Sequence, residues 1–208
     1  MNKILIVVDM QNDFIDGSLG TQQAVAIVPN VVKRIADSQN ELILFTQDTH
    51  PPNYLQTPEG KKLPVEHCIK DTHGWQISQP VITAWQNNST KRTTDKIPDS
   101  IIKKPVFGST ALVRFLEEYC YTPPQEQQNL LTFDHDINVS FDYKIEIIGL
   151  CTDVCVVSNA IMLKNMLPTV QIAVNADCCA GVTPKSHIEA LNTMAMCQID
   201  ILGDYKNE

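Results

Sequence analysis

The feature that most constrains this chain is a rhythm. Short apolar runs alternate with segments that carry apolar residues at helical spacing. The runs are Lys3–Asp9, Glu41–Thr46, Ser100–Lys104, Lys144–Leu150, Val170–Asn175 and Gln198–Leu202. Strands that are apolar on both faces and alternate with helices define a parallel sheet covered on both sides, the α/β layer class. The 208 residues are read as one domain, 1–208, large enough to bury a core without disulfide staples.

Between the runs, helices are expected over Thr110–Tyr119, Asp153–Asn165 and Lys185–Met196, the last introduced by Thr183-Pro184 as cap and first-turn proline. Val25–Ala36 also has helical spacing, provided Pro29 falls in the first turn, where its missing N–H is not needed. Residues 48–76 lack periodicity and are rich in Pro, Gly, His and Thr, which marks a long functional loop. Thr122–Val139, polar and carrying Pro-Pro, reads as a surface insertion.

Composition narrows the partners. A net charge of −8 argues against nucleic acid or an anionic membrane surface. The first apolar run, Ile4–Val8, is too short for a signal peptide, and no stretch approaches a membrane span. Seven cysteines scattered through apolar elements suggest free thiols and a cytoplasmic setting. Cys178 and Cys179 are adjacent in a strand, so they point to opposite faces and read as packing.

In a covered parallel sheet, ligands bind beyond the carboxyl ends of the strands. That rule selects Asp9 after the first strand, Asp48 and His50 after the second, Lys104 at the end of the third, and Cys151 and Cys155 after the fourth. The third strand is expected beside the first. Cys155 falls in the first turn of a helix, where the positive helix end favours thiolate and free N–H groups suit an oxyanion. On these residues alone a packed thiol, a solvated Asp9 and a surface Lys104 remain open. Asp48, His50, Glu59 and His67 bring two histidines and two carboxylates to one loop, a donor set for a divalent metal, or else ordinary solvated side chains.

The stretches VVDMQNDF (7–14), KKPVFGS (103–109) and GLCTDVCVVSNA (149–160) resemble the signature regions of the isochorismatase-like cysteine hydrolases. That superfamily includes nicotinamidases, isochorismatases and carbamoyl-amide hydrolases. The resemblance covers nearly the whole chain and implies a three-layer αβα fold with a six-stranded parallel sheet. It implies a triad of Cys155 as nucleophile, Asp9 and Lys104 (rather than Lys103), with an oxyanion hole from the N–H groups of Cys151 and Cys155. It also implies a cis peptide at Leu150–Cys151.

Asp48, His50 and His67 match the metal set of nicotinamidases, which members acting on isochorismate lack. Gln56 stands where many members have a histidine, and Glu59 has the spacing of the glutamate that others use. The implied cofactor is a divalent metal, zinc first, with iron or manganese as alternatives. Pro64 replaces the aromatic residue that nicotinamidases usually carry three positions before the last histidine. Phe14 and Phe107 are therefore taken as substrate-binding residues, with Trp75 as a third candidate wall. The expected activity is hydrolysis of a small amide, nicotinamide foremost. Another amide or carbamoyl substrate and a non-catalytic binding relative are the rivals. Members are often oligomers, so a homo-oligomer remains open, with the 122–139 insertion forming or blocking a contact.

Overall fold

The computed structural model describes residues 2–39, 41–88, 100–120 and 143–205. The expected insertion at 122–139 lies outside them. Strand β1 (Asn2–Val8) is followed by the short helix α1 (Asn12–Ile15), helix α2 (Gln22–Ala36) and strand β2 (Leu42–Asp48). Helix α3 (Gln79–Asn87), strand β3 (Ile101–Lys104) and helix α4 (Thr110–Cys120) come next. Then follow β4 (Tyr143–Leu150), a π-turn (Thr152–Val156), α5 (Val157–Met166), β5 (Gln171–Ala180), α6 (Pro184–Met196) and β6 (Asp200–Leu202).

All six strands pair in parallel, in the order β3-β2-β1-β4-β5-β6. Alternate residues of β1 feed two cores. Ile4, Ile6 and Val8 pack with α4, α5 and α6 on one face, whereas Leu5 and Val7 pack with α2 and α3 on the other. Cys178 and Cys179 divide between the two cores in the same way, and both are free thiols. The three-layer αβα architecture and its six parallel strands are as expected. Among the described residues no helix is long and apolar enough to cross a membrane.

Three expectations are corrected. Strand β3 pairs with β2 at the sheet edge, not with β1. The first three strands are laid down in sequence outward from β1, and the chain then returns to β4 on the other side. Second, α2 starts at Gln22, capped by Thr21, whose side chain accepts from the Ala24 N–H, so Pro29 lies in the helix interior. An interior proline costs about 3 kcal/mol. Burial of Ala24, Ile27, Val31 and Ile35 along one stripe offsets it. Third, α3 was not anticipated, although Ser78 before Gln79-Pro80 is a helix-start pattern.

The order reverses between β1 and β4. There Gly149 adopts φ +118°, and any side chain on it would collide with the Val8 backbone. Only glycine allows β4 to close this tightly on β1. On the α2 side, Arg34 grips Glu146 of β4 through Nε to Oε1 (3.0 Å) and NH2 to Oε2 (2.8 Å). It also reaches Glu41 at 2.8 Å, and Asn175 donates to Glu146 at 3.0 Å.

Burial pushes the Glu146 carboxyl up, but the Arg34 and Asn175 hydrogen bonds and the Arg34 charge outweigh it and hold the group below its ordinary value of 4.5. A depressed folded-state value means that this network stabilises the fold above the unfolded carboxyl's pKa. The contribution is lost as the pH falls through the folded value. Glu146→Gln should therefore cost about 2 kcal/mol at neutral pH and close to nothing at an acid pH where the folded carboxyl is protonated. Urea unfolding at the two pH values checks this, and an equal cost at both would contradict it.

Candidate active site and metal centre

The carboxyl edge of the sheet at the β1/β4 reversal is the switch point where ligands bind in such folds. Asp9, directly after β1, is wholly buried and sits at φ +44°, a conformation uncommon for a non-glycine residue. Thr46 of β2 fixes it, donating its hydroxyl to Asp9 Oδ1 at 2.7 Å. Lys104 lies two strands away, yet its long side chain crosses the end of β2. Its Nζ stands 2.6 Å from Asp9 Oδ2, 3.5 Å from Asp48 Oδ1 and 3.4 Å from Cys155 Sγ, and donates to the Val106 carbonyl at 3.1 Å. The triad residues are thus in contact through one ammonium.

Electrostatics follow from this burial. Desolvation is the largest influence on Asp9 and raises its pKa; Lys104 opposes that and the nearby Asp48 adds to it, with a net upward shift. Burial works against the Lys104 charge, but Asp9, Cys155 and Asp48 outweigh it and keep the ammonium protonated. The Cys155 thiol is raised well above 9.0 by burial and then by the Asp9 charge, against the pull of Lys104. This corrects the expectation of a thiol made acidic by a helix end. Cys155 sits inside a π-turn and is buried beside the Asp9 carboxylate, and both conditions oppose the thiolate. The Leu150–Cys151 peptide is cis, as expected.

Beside the triad, Asp48, His50 and His67 present ligand atoms all within 4.8 Å of one another. His50 Nε2 is 3.0 Å from Asp48 Oδ2, and His67 Nε2 is 3.8 Å from the same oxygen. Glu59 Oε1 lies at the rim of this cluster, 3.8 Å from His50 and 3.9 Å from His67. His67 Nδ1 lies 2.8 Å from the Val65 carbonyl. A carbonyl only accepts, so Nδ1 carries a proton there, and Nε2 is the ring nitrogen turned to the cluster. Asp48 Oδ1 and His50 Nε2 are buried without a hydrogen bond of good geometry. Two imidazoles and the Asp48 carboxylate around a common centre, with orphaned polar atoms and the Glu59 carboxylate at the rim, fit a divalent metal such as zinc, iron or manganese.

The chain builds this centre from the loop after β2. His50 bridges to Ile69 in parallel fashion, with His50 N–H donating to Cys68 O and Lys70 N–H to His50 O. That short pairing brings His67 back to His50. The buried ring of Tyr54 lies 4.7 Å from His50 and 4.9 Å from His67, a dry wall on one side.

Two further residues of the VVDMQNDF stretch, not among those expected at the site, hold it in place. Gln11, wholly buried, accepts from the Asp48 N–H at 2.7 Å and donates to the Asp48 carbonyl at 2.9 Å. Asp13 accepts from the Cys68 N–H at 2.7 Å, next to His67. A buried glutamine and a helix-start aspartate following Asp9 were the available signals.

Phe14 is 7% exposed, with its ring 5.6 Å from that of His67. Phe107 is 47% exposed on the segment after Lys104. Trp75 is tied off to the side: its indole donates to Thr49 at 2.9 Å and the Lys103 ammonium lies over its ring. His73 lies near Asn12 and outside the metal cluster.

The Isochorismatase domain model matches residues 3–111, more than half of the chain, so the chain belongs to the isochorismatase family of hydrolases. Solved structures with the same fold include the pyrazinamidase/nicotinamidase of Streptococcus mutans, 23% identical with a TM-score of 0.71, covering 97% of this chain and 100% of that one. The nicotinamidase of Bacillus subtilis is 20% identical with a TM-score of 0.69, covering 98% and 100%. The pyrazinamidase of Pyrococcus horikoshii, solved in complex with zinc, is 21% identical with a TM-score of 0.66, covering 98% and 100%. A search of curated protein sequences finds no match.

Two carboxylates and one lysine share this buried volume, so the lysine cannot be removed cheaply. Lys104→Met should destabilise the protein by about 3–5 kcal/mol, because Asp9 and Asp48 lose their common counter-charge. Adding Asp9→Asn should recover part of the loss. Denaturant unfolding of the single and double variants measures both, and an unchanged stability in Lys104→Met would contradict the account.

Proposed function

We propose that the protein is an amidohydrolase that cleaves a small amide, nicotinamide first among candidates, through a thioester on Cys155. The observation that carries the reading is the contact of Asp9, Lys104 and Cys155 through one ammonium, next to a set of metal donors.

In this scheme Asp9 takes the thiol proton of Cys155, and Lys104 steadies the charge that passes between them. Sγ attacks the amide carbonyl. The N–H groups of Cys151 and Cys155 hold the oxyanion of the tetrahedral intermediate. Asp9 returns its proton to the leaving nitrogen, which departs as ammonia, and a thioester remains. Water then attacks the thioester carbonyl while Asp9 accepts its proton, the carboxylic acid leaves, and Cys155 recovers a proton. The raised pKa of Asp9 suits a group that both accepts and donates protons. A divalent metal held by Asp48, His50, Glu59 and His67 would supply Lewis acidity for substrate or water. Phe14 beside His67 and Phe107 at the exposed side are the aromatic contacts for a ring-bearing substrate. The setting is the cytoplasm and the partner a small molecule.

A second reading keeps the chemistry and changes the substrate. Pro64 is exposed and offers no ring three residues before His67, so a different small amide or carbamoyl compound is the alternative.

The test is ammonia release from nicotinamide by the purified protein, with and without a chelator. The proposal expects release that a chelator suppresses and zinc, iron or manganese restores, in a protein that stays folded without the metal. Cys155→Ala should lower turnover by at least about 10³-fold, and full turnover in that variant would sink the mechanism. No ammonia release from nicotinamide, with release from another small amide that Cys155→Ala abolishes, would move the substrate to the second reading.

A further inference from the structure

Asn159 is a wholly buried polar side chain that the scheme above does not use. It stands four residues after Cys155, in the first turn of α5. Its Oδ1 accepts from the Ser109 N–H at 2.9 Å. Its Nδ2 donates to the Cys155 carbonyl at 2.8 Å and to the Phe107 carbonyl at 3.2 Å. One amide therefore joins the nucleophile's turn to the segment that follows Lys104.

That segment, residues 105–109, has little apolar anchorage, since Val106 and Phe107 are 53% and 47% exposed. It is held by polar bonds at both ends. Near its start, Lys104 Nζ donates to the Val106 carbonyl. At its end, Ser109 accepts from the Leu112 N–H at the head of α4 and gives its own N–H to Asn159. Between them, a side chain on Gly108 would collide with Met162 of α5, so the segment lies close against that helix.

The chemistry of the site demands an amide. Two carbonyls need donors and one N–H needs an acceptor, which asparagine alone supplies at this length. Leucine would remove all three hydrogen bonds at once, two of them between buried partners.

We propose that Asn159 is a positioning residue for the reaction. It fastens the Cys155 turn to the 105–109 segment, sets the Lys104–Cys155 distance and holds Phe107 at the exposed side of the site. The proposal rests on the reading of Cys155 as nucleophile.

The test compares Asn159→Ala and Asn159→Leu with the wild-type protein on the amide that the wild type hydrolyses, with the folded fraction set by thermal melts. The proposal expects kcat per folded molecule to fall about 10- to 100-fold, the usual effect of moving a reacting group by about 1 Å. KM should stay within about threefold, because the loss falls on the chemical step. A lowered melting temperature with unchanged kcat per folded molecule would assign Asn159 to the fold alone and overturn the proposal.

If neither variant folds, hydrogen exchange in the wild-type protein decides. The Ser109 amide lies outside every helix and strand, and it should be protected as strongly as the amides of α5. Exchange at loop rates would overturn the proposal. Turnover lost in Cys155→Ala but kept in both Asn159 variants rejects the positioning role and leaves the nucleophile in place. Turnover kept in Cys155→Ala removes the premise and rejects both.

Discussion

Lys104 is a buried cation with Asp9 on one side, Asp48 on the other and the Cys155 sulfur 3.4 Å away. Three ionisable partners around one ammonium, out of water, would each be costly alone. Together they are stable because each charge has a neighbour of opposite sign. The rest of the site depends on that arrangement. It keeps Asp9 close to the thiol, and it brings the triad next to the loop of metal donors through the carboxylate of Asp48. The second carboxylate oxygen of Asp48 faces His50 and His67. Asp48 thus serves both halves of the site at once.

The sheet makes this possible by its order. Asp9 leaves the central strand β1 and Cys155 follows the neighbouring β4 across the reversal, so the proposed acid–base group and the proposed nucleophile meet at the crevice. Asp48 and Lys104 are register partners at the ends of β2 and β3, which fixes their side chains at one level of the edge. Gln11 clamps both backbone groups of Asp48, and Asp13 holds the backbone beside His67. The turn after β1 therefore sets the candidate metal donors as well as Asp9. Its exit geometry, at positive φ, is a constraint shared by both halves of the site.

Much of this was legible in the chain. Apolar runs alternating with helical spacing gave the parallel sheet, because strands buried on both faces have no polar alternation to hide them. The rule that ligands gather at the carboxyl edge then selected Asp9, Asp48, Lys104 and Cys155. What escaped depended on long-range geometry. The place of β3 follows from the path of the chain between strands, not from its own residues. Pro29 inside α2 was misjudged because tertiary burial of the helix stripe outweighs a local backbone penalty. The state of the Cys155 thiol was misjudged for a related reason: the helix end favours thiolate, but full burial and a neighbouring carboxylate oppose it more strongly. Gln11, Asp13 and Asn159 look like ordinary polar residues until their backbone partners, far away in sequence, come into view.

The central claim is that Cys155 carries the acyl group of the substrate. The most direct measurement is intact-mass and peptide mapping of the protein quenched in acid during turnover of an amide that it hydrolyses. The account predicts an added mass equal to the acyl fragment on the peptide containing Cys155, absent from Cys155→Ala and removed by hydroxylamine. An adduct on another residue would contradict it, as would steady ammonia release by Cys155→Ala at the wild-type rate.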